Sequence, residues 1–257
     1  MTAQGRSVRI RVLVAEQAAL RGARVGVVDV CTAAVASLPV GGAGVSAMSR
    51  TAASHPLCST DDISGRLEEL QLTFGEGPCV DAFTHGTAVL TPDLRAGELQ
   101  GRWPVFVDAA LEAGALAVFA LPLQMGAISP GVLDLYSRVP GRLNAEELAD
   151  ALVFADVATL VLLDTQIDET GASIGGMLPD GRLEDLGAYR AEIDQATGML
   201  TVQLGVGIEE AFVRLRAHAY ARGHRLAEVA ADVVARRLSF SPNAPPNAPP
   251  DEGEGDA

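Results

Sequence analysis

The sequence predicts two parts: an α+β domain with a largely antiparallel sheet and covering helices, then a small all-α three-helix bundle. Three observations carry this. Helical and strand-like patterns alternate over residues 10–165, and several strand patterns are adjacent in the chain. A Gly- and Asp-rich stretch, 166–186, breaks the periodicity and reads as a linker. Residues Tyr189–Phe240 then hold three helical patterns parted by two glycine breaks. The chain has 257 residues, 48% hydrophobic but only 4% aromatic, so a core of Ala, Val and Leu is expected.

The elements follow in order. Residues 1–9 are polar and are expected to be disordered. Helical spacing from Val8 to Leu38 predicts one long helix or two joined near Gly22–Gly26, ended by Pro39 and Gly41–Gly42. Alternation at Val45 and Ala47 predicts a strand over Ala43–Ser49, followed by a loop or paired strand to residue 63. Leu67 and Leu70 mark a helix over Ser64–Leu72. Gly75, Gly77 and Pro78 force a turn, and Pro78 opens a short helix to Phe83. A short strand is expected at Thr87–Thr91 and a helix over 104–113, ended by Gly114. Ala115–Gln124 and Gly131–Ser137 read as strands. Asn144-Ala-Glu-Glu147 has capping-box spacing and opens a long apolar helix to about Asp164.

In the bundle, the first helix covers about 186–204. Leu186, Ile193 and Leu200 are seven apart, with Tyr189, Ala196 and Gln203 as a second row. The stripe Leu186, Tyr189, Ile193, Ala196, Leu200 serves either a homodimer seam or packing on the other two helices. Gly198 costs about 1 kcal/mol inside a helix, which a close helix crossing would offset. Gly205 ends the first helix, and Gly207 caps the second with Glu209 and Glu210 in its first turn. Ala211, Leu215 and Ala219 face inward at four-residue spacing. Gly223 precedes the third helix, whose inner positions include Leu226, Val229 and Ala230. Residues 241–257 form a Pro-rich, acidic tail with too little apolar content to fold.

Net charge is −14, which argues against a chain-wide nucleic-acid or anionic-membrane surface. The charge is uneven, however. Residues 187–240 hold seven Arg against six carboxylates, while the rest holds twelve against twenty-seven. Arg214, Arg216, Arg222, Arg225, Arg236 and Arg237, with His218 and His224, are the only basic cluster. They form either a polyanion contact surface or an ordinary solvated face.

No catalytic constellation stands out, so no enzyme activity is expected. Cys31, Cys58 and Cys79 have no metal spacing and cannot all pair, which suits a reducing cytosol. The thiol of Cys79, next to Pro78 at a helix start, is either buried and structural or lowered in pKa and reactive. His55 and His85 have no partner at ligand spacing, and no metal or cofactor is expected. Gly75-Glu-Gly-Pro-Cys79 lacks the Lys and Ser/Thr of a phosphate-binding loop. No secretory h-region is expected after Arg6, Arg9 and Arg11, because Glu16, Gln17 and Arg21 interrupt the stretch, and no membrane span is expected, because no apolar run reaches eighteen residues.

Ile193-Asp-Gln-Ala-Thr-Gly-Met-Leu200, Glu210-Ala-Phe-Val-Arg-Leu-Arg216 and Leu226-Ala-Glu-Val-Ala230 together resemble the ANTAR domain. The resemblance implies a module that binds RNA hairpins in nascent transcripts and prevents termination. Ala196, Gly198, Leu200, Ala211, Leu215, Ala219, Leu226, Val229 and Ala230 would be packing residues. Of the motif positions Arg216 would be the polar contact; were the basic cluster the RNA surface, Arg214, His218, Arg222, Arg225, Arg236 and Arg237 would face RNA with it, and Tyr220 would stack. Thr197 stands where many ANTAR domains have Lys, which removes one candidate cation for a phosphate. Leu67-Glu-Glu-Leu-Gln71, Gly75-Glu-Gly-Pro-Cys-Val-Asp-Ala82, Asp93-Leu94, Trp103-Pro104, Leu121-Pro-Leu123 and Gly131-Val-Leu133 resemble a GAF domain. That resemblance implies a sensor with a small-molecule pocket between sheet and helices. The expected whole is a cytoplasmic, homodimeric antitermination regulator. The alternatives are a DNA-binding helix-turn-helix factor, or a ligand-binding or oligomerisation protein with no nucleic-acid role. The acidic, apolar start of the third helix (Leu226, Ala227, Glu228) weighs against base reading.

Overall fold

The computed structural model describes residues 2–48, 55–171 and 181–241; of residues 165–171 and 181–190 it describes the backbone alone. The expected acidic tail and the centre of the expected linker lie outside the described residues. The chain divides into two compact units, with the boundary between Leu186 and Gly187.

The N-terminal unit begins with two helices, α1 (Ala3–Arg21) and α2 (Val27–Ser37). Of the two expectations for Val8–Leu38, the broken helix is the one found. Gly22 takes a left-handed φ of 67° at the end of α1. Arg21 then donates to Asp29 of α2 from Nε and Nη2, at 3.0 and 2.6 Å, which fixes the break. The expected disordered start is wrong: α1 begins at Ala3, with the Thr2 hydroxyl accepting from the Gly5 amide. The reason lies far along the chain. Arg6 and Arg9 pair with Asp150 at 2.8 and 2.5 Å, and Arg6 also pairs with Glu146. Ile10, Val14 and Ala18 are buried on the same side.

Five strands form one antiparallel sheet in the order β2-β1-β5-β4-β3. They are β1 (Gly42–Ala47), β2 (His55–Ser59), β3 (Val89–Thr91), β4 (Ala117–Met125) and β5 (Ile128–Ser137). Helices cover both faces, so both alternating sets on the inner strands are buried. Val45, Phe119, Leu121, Leu133 and Leu135 point to α1, α2 and α7 (Ala145–Gly171). Val118 and Tyr136 point the other way, into a second core with Leu67, Leu70, Trp103 and Phe106. That second core belongs to α3 (Asp62–Phe74), α5 (Gly97–Arg102) and α6 (Phe106–Glu112). Helix α5 was not expected from the sequence, being only six residues long. Helix α7 continues to Gly171, beyond the expected end and into the stretch read as linker.

The turn around Glu76 ties this face together. Gly77 sits at φ 123°, and an added Cβ would come within 2.8 Å of Gln71. That close approach lets Gln71 Oε1 accept from the Cys79 amide at 2.7 Å, at the start of α4 (Pro78–His85). Glu76 caps α6: one carboxylate oxygen accepts from the amides of Val105 and Phe106 at 2.7 and 2.8 Å. Asp81 accepts from the Trp103 indole at 3.1 Å and from Arg102 at 2.8 Å. This stretch is therefore a structural hub, where the sequence suggested a turn followed by a short helix.

The C-terminal unit contains α8 (Gly181–Leu204), α9 (Ile208–Arg222) and α10 (Leu226–Val234). Helix α8 starts inside the stretch read as linker. Gly205 and Gly223 take left-handed φ values of 66° and 62°, as the two glycine breaks require. The three helices share one core, which holds Ile193, Ala196, Leu200, Leu204, Ala211, Leu215, Ala219, Leu226, Val229, Ala230 and Val233.

Candidate nucleic-acid interface

The inner side of the bundle decides what its outer side can offer. Ala196, Leu200, Ala211, Leu215, Ala219, Leu226, Val229 and Ala230 are all buried, as their spacing predicted. Gly198 is a correction. It is exposed, and nothing lies within 4 Å of an added Cβ, so no helix crosses there. The dimer seam is a second correction. Ile193, Ala196 and Leu200 are at most 2% exposed inside their own bundle, so a second copy cannot reach them. The side chains of Leu186 and Tyr189 lie outside those described. Thr197 is the third correction. It is buried, and its hydroxyl donates to the Ile193 carbonyl at 2.7 Å. It packs, so the substitution for Lys takes no exposed cation from the surface.

On α9 the polar residues fall on two flanks of the buried Ala211-Leu215-Ala219 row. One flank carries Arg214, His218 and Arg222, four residues apart; the other carries Phe212, Arg216 and Tyr220. Arg214 bonds to Glu210 at 2.6 Å on the helix surface. His218 packs on the Phe240 ring, with centroids 5.1 Å apart. Burial, and then the neighbouring Arg222 and His224, push the His218 pKa below its ordinary value. The Phe240 amide donates to Gln203 Oε1 at 3.0 Å, so the segment after α10 folds back along α8.

On the second flank, the Arg216 guanidinium lies 5.7 Å from the centre of the Phe212 ring. Burial lowers its pKa, and it is half-covered, not extended into solvent. Tyr220 is 52% exposed, the most open aromatic ring of α9. Arg222, Arg225, Arg236 and Arg237 are exposed, and Arg237 pairs with Asp232 at 2.7 Å. Arg236 holds a left-handed φ of 59° and borders a shallow groove with Gln195, Gly198, Met199, Val202 and Leu238. Arg222 and Arg225 thus flank Gly223 between α9 and α10, Arg236 and Arg237 follow the end of α10, and Arg214 and Arg216 lie further back on α9. The outward positions of α10 are Ala227, Glu228, Ala231 and Asp232, a poor surface for reading base edges.

In the N-terminal unit, the space between the sheet and α3, α5 and α6 is filled by Trp103, Phe106, Leu70 and Tyr136, each no more than 2% exposed. A small-molecule pocket was expected there. Among the described residues an open cleft of about 560 Å³ lies instead beside β3, bordered by His85, Asp93, Arg102 and Arg142. Cys79 is buried and its thiol pKa is pushed up, so the reactive low-pKa reading fails. Cys31 and Cys58 bring their sulfurs to 2.6 Å inside the other core. Among the described residues, no helix is long and apolar enough to cross a membrane.

Residues 182–234 match the model of the ANTAR domain family. No curated protein matches the chain. Among solved structures, the N-terminal part is similar to the GAF domain of a phosphoenolpyruvate-protein phosphotransferase from Coxiella burnetii: 12% identity, 64% of this chain, 98% of that one, TM-score 0.46. The GAF domain of the Acinetobacter phosphoenolpyruvate-protein phosphotransferase is similar at 11% identity, covering 66% of this chain and 99% of its own, with TM-score 0.45.

Proposed function

We propose that this chain, which carries an ANTAR domain over residues 182–234, is a signal-responsive RNA-binding regulator. Its C-terminal bundle binds hairpins in nascent mRNA and prevents termination, under control of the GAF-like N-terminal unit. It acts in the cytoplasm. The observation that carries this reading is the family match over residues 182–234, on a bundle in which Ala196, Leu200, Ala211, Leu215, Ala219, Leu226, Val229 and Ala230 are buried. The exposed Arg222, Arg225 and Arg236 hold phosphates, and Tyr220 offers a ring for an unpaired base. Duplex DNA is disfavoured because α10 presents Glu228 and Asp232 outward. The proposed homodimer uses other apolar positions than Ile193 and Leu200; Val202 is 84% exposed on α8. A signal molecule would enter beside β3, where the open cleft lies.

The test is a mobility-shift titration of the full chain against a two-hairpin leader RNA and a matched DNA duplex, over a salt series. Retention of RNA, weakening steeply with salt, supports the reading. Equal competition by duplex DNA, or no binding to either, rejects it. Sedimentation of the wild type and of Val202→Asp tests the dimer: a monomeric wild type removes that part of the proposal.

A further inference from the structure

We infer that Glu68, Cys79 and Asp134 form a binding site for one borderline divalent cation of the zinc class, inside the N-terminal unit. The residues come from α3, the first turn of α4 and β5, and all three are buried. One ligand atom from each lies within 4.8 Å of the other two. A tetrahedral zinc holds thiolate sulfur at about 2.3 Å and carboxylate oxygen at about 2.1 Å, which sets ligand atoms roughly 3.5 Å apart. The difference is within the reach of side-chain rotation.

The carboxylates supply the second observation. Glu68 Oε2 accepts from the Ser46 hydroxyl, while Oε1 is buried with no hydrogen-bond donor. Asp134 Oδ2 accepts from Gln71 Nε2 at 3.0 Å, while Oδ1 is likewise buried with no donor. Each carboxylate therefore has one oxygen held by a neutral donor from outside the cluster, and the other faces only its fellow ligands, Glu68 and Asp134 meeting each other and Cys79 meeting Asp134. Outer partners orient metal-binding carboxylates in this way. Gln71 also accepts from the Cys79 amide, so one side chain positions two of the three ligands. Gly44 makes the room, since a Cβ there would approach the Glu68 carboxyl carbon to 2.9 Å.

Charge points the same way. Among the described ion pairs, none reaches these groups. Two buried carboxyls beside neutral donors need either a shared proton or a cation. A thiolate with two carboxylates suits Zn(II), Co(II) or Fe(II); it is too soft a set for Mg(II) or Ca(II) and too hard for Cu(I). The site goes beyond the RNA-binding reading and does not depend on it.

The test uses the full chain, purified without chelator. Metal content is measured first, and the stripped protein is then titrated with Co(II). The expected result is one cobalt per chain with a thiolate-to-cobalt charge-transfer band, displaced by Zn(II). Cys79→Ser loses the band, while Cys31→Ala combined with Cys58→Ala keeps it. Ser46→Ala retains the band with affinity lowered about 10-fold, as expected when a hydrogen-bond donor to a ligating carboxylate is removed. A wild-type protein that takes up no cobalt overturns the proposal whatever the variants do, and leaves a shared proton as the occupant. A band that survives in folded Cys79→Ser, or one cobalt bound with no band, also overturns it. Should Cys79→Ser fail to fold, isosteric Asp134→Asn takes its place: unchanged affinity in that variant overturns the proposal.

Discussion

Glu68, Gln71 and Asp134 lie at the centre of the helix-covered sheet in the N-terminal unit, with Ser46 and Ser64 also buried. In the C-terminal bundle, Thr197 is the one buried polar side chain among the described residues, and it is satisfied within its own helical turn. One unit keeps polar groups inside, and at Glu68 and Asp134 meets them with the neutral donors Ser46 and Gln71. The other keeps its charge on the rim. The difference matches the proposed division of labour. A buried polar cluster couples to protons or cations, whereas a polar rim on an apolar core meets a polyanion without disturbing the fold.

The largest effects come from removing one core residue in each unit. Phe106→Ala should cost about 3–5 kcal/mol, read as loss of native fluorescence from Trp103, the single tryptophan. Leu215→Ala should cost about 2–5 kcal/mol in the bundle and abolish RNA binding. If the units are energetically separate, Leu215→Ala leaves the Trp103 midpoint unchanged. A matching shift of that midpoint would show that they unfold as one.

Acid should move the two units in opposite directions. In the metal-free protein the folded Asp134 value, about 6, lies above its ordinary 3.8, so its contribution is full below about pH 4 and is lost as pH rises through about 6. The His218 value lies below the ordinary 6.5, so its contribution is present above that pH and is lost as pH falls through the depressed value. Going from pH 7 to 5, the Asp134 contribution raises the Trp103 melting midpoint and the His218 contribution lowers that of the bundle. Asp134→Asn should flatten the first slope and His218→Gln the second. Slopes unaltered by these substitutions would break the contrast.

Smaller effects sharpen it. Glu76→Ala removes the cap of α6 and should cost about 1–2 kcal/mol by chemical denaturation of the N-terminal unit. Gly198→Ala should stabilise the bundle by about 1 kcal/mol, because the site is helical, exposed and open around an added Cβ. A destabilised Gly198→Ala would restore the close crossing that the structure denies.

How far each unit could be read from sequence follows from the same contrast. Ala211, Leu215 and Ala219, or Leu226, Val229 and Ala230, announce themselves because an apolar core leaves helical periodicity intact. The same periodicity could not say whether Ile193 and Leu200 faced a second copy or their own bundle, since both uses require one stripe. The strands β4 and β5 were legible as apolar runs. Their partners were not, and neither was the meeting of residues 68, 79 and 134, which depends on sheet register and helix placement. The early start of α1 was hidden for a similar reason: Arg6 and Arg9 are polar in sequence but meet Glu146 and Asp150, which lie far along the chain in α7.

The most direct measurement compares leader-RNA affinity of the wild type with that of Arg222→Ala combined with Arg236→Ala, over a salt series, with duplex DNA as competitor. Both residues are exposed, so helicity should be unchanged. The expected result is weaker RNA binding and a log–log salt slope reduced by about 1 for each phosphate that is no longer neutralised, with DNA a poor competitor. Unchanged affinity and slope in the variant, or equal competition by DNA, would contradict an RNA-binding rim at the end of the bundle.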